Sequence, residues 1–193
     1  TPAASSYTSV VSLAQSMHIK ARSRTSGEWS ALSDATFGVT PVSENLRVTE
    51  LMYHASQGSN FDYIELQNIG DEELDLTGVR LNDGVDFTFG PMILDPGRHV
   101  VVVDNLASFR SAYGTGINIG GEYSGSLSNG GERIVLQLPQ PLDAAILRFA
   151  YSDTWRPATD GGGSVLEIED PLAHPATWNY PESWSTAMPS PGR

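Results

Sequence analysis

YIELQNIGDEELDLTGVRL, Tyr63 to Leu81, is the stretch whose reading decides the fold. Ile64 and Leu66 share one face of a period-2 pattern, and Tyr63, Glu65 and Gln67 share the other. The pattern breaks at Asn68-Ile69-Gly70, crosses an acidic turn, and resumes with Leu74 and Leu76, then Val79 and Leu81. Gly70 and Gly78 are expected at positions needing positive φ or a bulge. Such a stretch builds a core and carries no evident chemistry.

Around it the chain reads as strands and turns. Leu46 to Met52 is apolar on both parities, so that strand is expected to be buried on both sides. Val85, Phe87 and Phe89 alternate with polar residues, and Asp95-Pro-Gly97 marks a turn. Val100 to Val103 reads as a central strand. Asp104-Asn105 is placed to cap one short helix carrying Leu106, Phe109 and Tyr113 on one face, ended by Gly114. Thr115 to Ser126 is expected to be a glycine-rich surface loop. Asn129-Gly130 turns into Ile134, Leu136 and Leu138, with final strands near Ile146 to Tyr151 and Val165 to Ile168. From Glu169 the chain is rich in Pro and Trp and is expected to wrap the fold as an irregular tail. The fold class is therefore all-β, a two-sheet antiparallel sandwich from about Leu46 to Ile168. Ile64, Leu66, Leu76, Leu81, Val101, Val103, Ile134 and Leu136 are its expected core.

Several of these segments also resemble a known family. Glu-Leu-x-Asn-x-Gly from Glu65, then Leu-Asp-Leu-x-Gly-x-x-Leu from Leu74, resembles the signature of the lamin tail domain family, in particular its bacterial secreted branch. His99 to Asp104 with Phe109-Arg-x-x-Tyr-Gly114 resembles that family's hydrophobic strand and short helix. Leu127 to Glu132 resembles its late hairpin, and Pro189-Ser-Pro-Gly192 its ending. The resemblance implies an immunoglobulin-like sandwich and a non-catalytic module of secreted or surface proteins. Heptads, a basic nuclear signal and a C-terminal Cys box are all missing, so the family's nuclear roles do not carry over.

Residues 1–40 read differently from residues 41–193. Strands are expected at Val11 to Leu13, at His18 to Arg22 and at Trp29 to Phe37, with Thr25 to Glu28 as a turn. Ser16 to Ser23 followed by Gly27 to Phe37 resembles the second half of the small β-sandwich repeat at the C-terminus of chitobiase and hexosaminidase-type enzymes. That repeat is an accessory module, so it implies no glycosidase activity. Gly38 to Asn45 has linker composition. The expected organisation is a partial repeat or extension over 1–40 and the lamin-tail-like domain over 41–193, within a longer protein.

Composition narrows the function. The chain has 193 residues, no Cys and a net charge of −12. Lys20, Arg22 and Arg24 outnumber Glu28 and Asp34 before Pro41, whereas the remainder holds eight Arg, no Lys and twenty-one acids. That surface repels phosphate backbones, so nucleic acid is not expected as a partner. Nor is a membrane span, because no apolar run approaches about 20 residues.

The search for chemistry is thin. Gly114, Gly116 and Gly120 miss dinucleotide-loop spacing, Gly162-x-Ser164-x-Leu166 misses its last glycine, and no His-Glu-x-x-His occurs. His18, His99 and His174 lie apart; His54, Asp62 and Glu65 form the one group with a conceivable catalytic geometry. Asp71, Glu73 and Asp75 are candidate calcium ligands set against a plain reading as solvated turn acids. Trp155, Trp178, Tyr180 and Trp184 are candidate sugar-stacking rings set against a reading as core seals. No enzyme activity and no cofactor are expected. The expected function is extracellular or cell-surface attachment in a bacterium, with carbohydrate binding through the late aromatics as the alternative. The partner is a protein or cell-surface polysaccharide, beside neighbouring domains of the same parent chain.

Overall fold

A computed structural model describes residues 4–193. The N-terminal arm holds β1 (Met17–Ala21), β2 (Arg24–Thr25), β3 (Glu28–Trp29) and β4 (Ser33–Phe37). Helix α1 (Pro41–Asn45) leads into β5 (Leu46–Met52) and β6 (Tyr63–Asn68). Then come β7 (Leu74–Asp75), β8 (Arg80–Asn82), β9 (Val85–Thr88), β10 (Ile93–Leu94) and β11 (His99–Val103). Helix α2 (Leu106–Tyr113) is followed by β12 (Ile119–Glu122), β13 (Ser124–Gly125), β14 (Arg133–Gln137) and β15 (Ala145–Ala150). The chain closes with β16 (Val165–Ile168) and β17 (Trp184–Ala187).

Two sheets face each other. One has six strands in the order β12-β11-β6-β5-β16-β17; the other has five, β13-β9-β8-β14-β15. Ile64, Leu66, Leu76, Leu81, Ile134 and Leu136 fill the space between them, each at most 1% exposed. The expected all-β immunoglobulin-like sandwich is the observed architecture.

Val101 and Val103 are fully buried, but on the other side of the six-stranded sheet. Val100 and Val102 enter the inter-sheet core instead. A four-valine run cannot reveal its parity, and α2 is what makes the second face apolar. Phe109, capped into place by the Asn105 side chain accepting from the Ser108 N–H, packs there with Tyr63 and Tyr113. Because α2 carries the chain back across the sheet, β12 joins β11 in parallel, as a helical crossover requires. The glycine-rich segment read as a loop thus contains β12 and β13. Gly120 is needed there because a Cβ would lie 2.7 Å from the Phe89 ring.

The double-sided burial of β5 has a specific cause. Val48 pairs with Leu66, yet Glu50 pairs with Glu65, so Thr49 is an extra residue. This bulge shifts the alternation by one. Leu46 and Val48 before it, and Leu51 and Tyr53 after it, therefore all face the inter-sheet core.

The Asn68 turn is held by a buried amide. Its Nδ2 donates to the Glu72 and Leu94 carbonyls and its Oδ1 accepts from the Gly70 N–H. Gly78 has the expected positive φ of 77°. Gly70 does not; it is required because a Cβ would meet the Asn45 side chain at 2.7 Å.

Three further expectations change. Residues Gly38 to Asn45 are not a plain linker: Thr40 and Ser43 cap α1 reciprocally, and the Arg47 guanidinium closes its end on the Ser43, Glu44 and Leu46 carbonyls. No strand forms at Val11 to Leu13. The tail is not wholly irregular, since β17 pairs with β16 and extends the six-stranded sheet.

Candidate functional site

The bulge in β5 places Glu50 beside Glu65 on the outer face of the six-stranded sheet. Glu167 on β16 is the next register partner of Glu50. Three glutamates thus stand in a row across β6, β5 and β16. Like charges directly opposite one another destabilise a sheet unless something compensates.

The compensation comes from two directions. Tyr63 donates its hydroxyl to Glu50 Oε1 at 2.5 Å, and Thr49 donates to Glu65 Oε1 at 2.7 Å. The C-terminal segment then lies across the row. The Ser190 N–H donates to Glu50 Oε1 at 3.0 Å and the Gly192 N–H to Glu65 Oε2 at 2.6 Å. Burial pushes Glu50 above the ordinary carboxylate range. Burial likewise pushes Glu65 up to about 7, against the pull of the Gly192 and Thr49 hydrogen bonds. His99 Nε2 is 3.9 Å from Glu65 Oε1, and burial with nearby Arg98 lowers its pKa.

A groove of about 330 Å³ remains beside this row, lined among others by Gln67, His99, Glu169 and Arg193. Chemically, a raised carboxyl next to a second one resembles an acid–base pair. Here each oxygen of Glu65 accepts one hydrogen bond from the fold itself, from the Thr49 hydroxyl and the Gly192 N–H. The arrangement fastens the segment around Ser190 and Gly192 to the sheet. The short polar-apolar tail had offered no sign of this duty, because the fastening groups are backbone N–H groups.

The suspected group of His54, Asp62 and Glu65 does not assemble. His54 Nδ1 sits 2.6 Å from Asp160 Oδ1, while Glu65 belongs to the glutamate row. Asp62 accepts from the Ala55 N–H through Oδ1 and leaves Oδ2 without a partner. Burial pushes its pKa up to about 7. The Tyr123 hydroxyl is likewise buried without a partner, and its pKa is raised by burial first and then by the charges of Asp62 and Asp104.

The late aromatics do not form an exposed platform. Trp178 and Trp184 are 0% exposed. The Trp178 indole N–H donates to the Val48 carbonyl, and that of Trp184 to the Trp178 carbonyl. Trp155 packs partly buried against the same core, and Tyr180 alone is exposed. Large rings with one donor close a sandwich edge well, because both the ring and the N–H are satisfied there.

Asp71, Glu73 and Asp75 are all exposed. Asp75 accepts from the Thr77 hydroxyl and N–H, which together lower its pKa. Among the described residues, no group of three or more His, Asp or Glu is arranged to hold a metal ion, and no helix is long and apolar enough to cross a membrane.

Fold and site together define an immunoglobulin-like β-sandwich module with a polar outer face closed by its own C-terminal segment. The family model of the lamin tail domain matches residues 40–151, more than half of the chain, and the chain belongs to that family. No curated protein and no solved structure matches it.

Proposed function

We propose that this chain is a non-catalytic binding or attachment module of a larger bacterial secreted or cell-surface protein. Residues 1–40 serve in this reading as a partial β-sandwich repeat or extension, and residues 41–193 as the lamin-tail-like domain. One observation supports it above the rest: Glu50, Glu65 and Asp62, three carboxyls whose pKa is raised by burial, each accept a hydrogen bond from the fold's own backbone. Glu50 accepts from Ser190, Glu65 from Gly192 and Asp62 from Ala55. The Glu65 carboxyl accepts one hydrogen bond on each oxygen, from Thr49 and from Gly192, and is thereby tied to the strand and the tail it holds. The test is a panel of ester, glycoside, phosphodiester and peptide substrates offered to the purified chain. No turnover is expected on any of them. Turnover that disappears in a folded His54→Ala or Glu65→Gln variant would overturn the reading.

A further inference from the structure

The end of the sandwich where β5 leaves the sheet, at Met52 opposite Tyr63, carries a pair of acids outside the glutamate row. The Asp104 N–H donates to the Asp62 carbonyl at 3.0 Å, which carries the antiparallel register of β6 and β11 one step past Tyr63 and Val103. Asp62 and Asp104 are therefore cross-strand partners. Asp62 continues the parity of Ile64, and Asp104 that of Val102, so both carboxyls lie at the end of the inter-sheet core. Like charges directly opposite one another destabilise a sheet. Here one of the two is also nearly out of water, Asp62 being 1% exposed.

A loop hangs on that buried carboxyl. The Ala55 N–H donates to Asp62 Oδ1 at 2.8 Å, the Gly58 N–H to the Ala55 carbonyl, and the Phe61 N–H to the Gly58 carbonyl. The other side of the loop is held by the Gly161 N–H, which donates to the His54 carbonyl, and by the contact of His54 with Asp160. Asp62 Oδ2 and the Tyr123 hydroxyl have no hydrogen-bond partner among the described residues. The groups that face the Asp62 carboxyl are His54 on its own loop, Asp104 at the end of β11, Tyr123 after β12 and Tyr151 after β15. Behind them stand Tyr53 and a shell of further acids: Glu122 near Asp104, Glu132 near Tyr123 and Tyr151, and Asp153 and Asp160 near Tyr53. His54 is the one group of this set that can carry a positive charge, and it is engaged with Asp160.

We propose that Asp62 and Asp104 form a proton-operated latch on the loop from His54 to Phe61, closed while Asp62 holds its proton and opening locally when both carboxyls are ionised. The closed loop keeps one carboxyl buried beside another, whereas the open loop returns it to water. In the closed form Asp62 is raised from 3.8 to about 7, by burial first, with the Asp104 charge adding to it. The hydrogen bond from Ala55 pulls the other way, because it strengthens on ionisation, but burial is the larger cause and sets the direction. A proton held more tightly in the closed form favours closure at low pH. The opening equilibrium therefore rises by about tenfold per pH unit between the two values and levels off above the higher one. The latch governs when the loops at this end become accessible and is independent of what the module binds.

The test is amide hydrogen exchange of the full chain at about pH 5 and about pH 8, corrected for intrinsic rates and resolved by residue. Protection at Ala55 and Gly58 is expected to fall at least about tenfold between the two, and to lie below that of Leu66 and Val102 at both, as local opening requires. Asp62→Asn keeps an acceptor for the Ala55 N–H and does not titrate, so the fall should shrink to under about twofold. Asp104→Asn leaves Asp62 in place and should move the midpoint of the change down by about half a pH unit or more. A carbon-13 titration of the Asp62 carboxyl in the unaltered chain depends on no variant, and its midpoint should lie near 7. A midpoint below about 5, or one indifferent to Asp104→Asn, would overturn the proposal. So would protection at Ala55 equal to that of Leu66, or a fall that survives Asp62→Asn.

Discussion

Glu50 and Glu65 are register partners on adjacent strands, both nearly excluded from water, and the chain's last residues reach back to donate a backbone N–H to each. The pair exists only because Thr49 is an extra residue in β5. Without that bulge, position 50 would face the inter-sheet core and Glu65 would have no acidic neighbour on β5.

Stability should fall as pH rises through neutrality. The Glu65 carboxyl is raised from 4.5 to about 7 in the folded chain, so the folded state holds that proton more tightly than the unfolded state does. Its contribution is fully present below about pH 4.5 and is lost as pH climbs through about 7. Asp62, also raised to about 7, acts in the same direction. The parent should therefore be less stable near pH 8 than near pH 5 by about 1–3 kcal/mol, and Glu65→Gln, which does not titrate but can accept only one of the two bonds, should show a smaller difference between the two values. Urea denaturation of both chains at both values checks this; a pH dependence undiminished in the variant would contradict it.

The central motif should be as costly to disturb as its burial implies. Leu76 is 0% exposed between the two sheets. Leu76→Ala removes the side chain beyond Cβ from a packed core and should cost about 2–5 kcal/mol. A denaturation midpoint unchanged by that substitution would show that the motif is not core.

How far the sequence could be read follows from what each pattern encodes. Alternation in β6 set Ile64 and Leu66 on the inter-sheet face and Tyr63 and Glu65 on the other correctly, since nothing interrupts the period within that strand. Alternation failed in β5, where Thr49 interrupts the period, and in β11, where every residue from Val100 is apolar and only α2 distinguishes the faces. The aromatic tail was ambiguous for another reason. An indole that stacks on sugar and one that seals a core look the same in sequence, and the difference lies in a hydrogen bond to the Val48 carbonyl, far away along the chain. The glutamate row was hidden because its partners are main-chain groups at Ser190 and Gly192.

Calcium should leave the melting temperature unchanged. A ligand that binds only the folded state must raise it. Asp71, Glu73 and Asp75 are exposed, and the Asp75 carboxylate is committed to the Thr77 hydroxyl and N–H. Thermal melts in millimolar calcium and in chelator should superimpose. A clear rise, abolished by Asp71→Asn with Asp75→Asn, would show that the acidic turn binds the ion.

The segment matching the family model, residues 40–151, should not fold by itself, whereas residues 40–193 should. The tail beyond Tyr151 supplies β16, which pairs with β5 at Leu51 and Glu50, and β17, which pairs with β16 in turn. It also supplies Trp178 and Trp184, both fully buried in the inter-sheet core. Trp184 lies 5.4 Å from Phe149, and Trp178 satisfies the Val48 carbonyl. Losing one buried tryptophan costs about 3–5 kcal/mol. Losing two, with a sheet edge laid open, approaches the whole stability of an ordinary domain, about 5–15 kcal/mol. The shorter fragment should therefore show no cooperative thermal transition and poorly dispersed amide resonances, while the longer one shows both a sharp melt and dispersion. A cooperative melt from residues 40–151 would mean that the tail merely decorates a sandwich already complete without it.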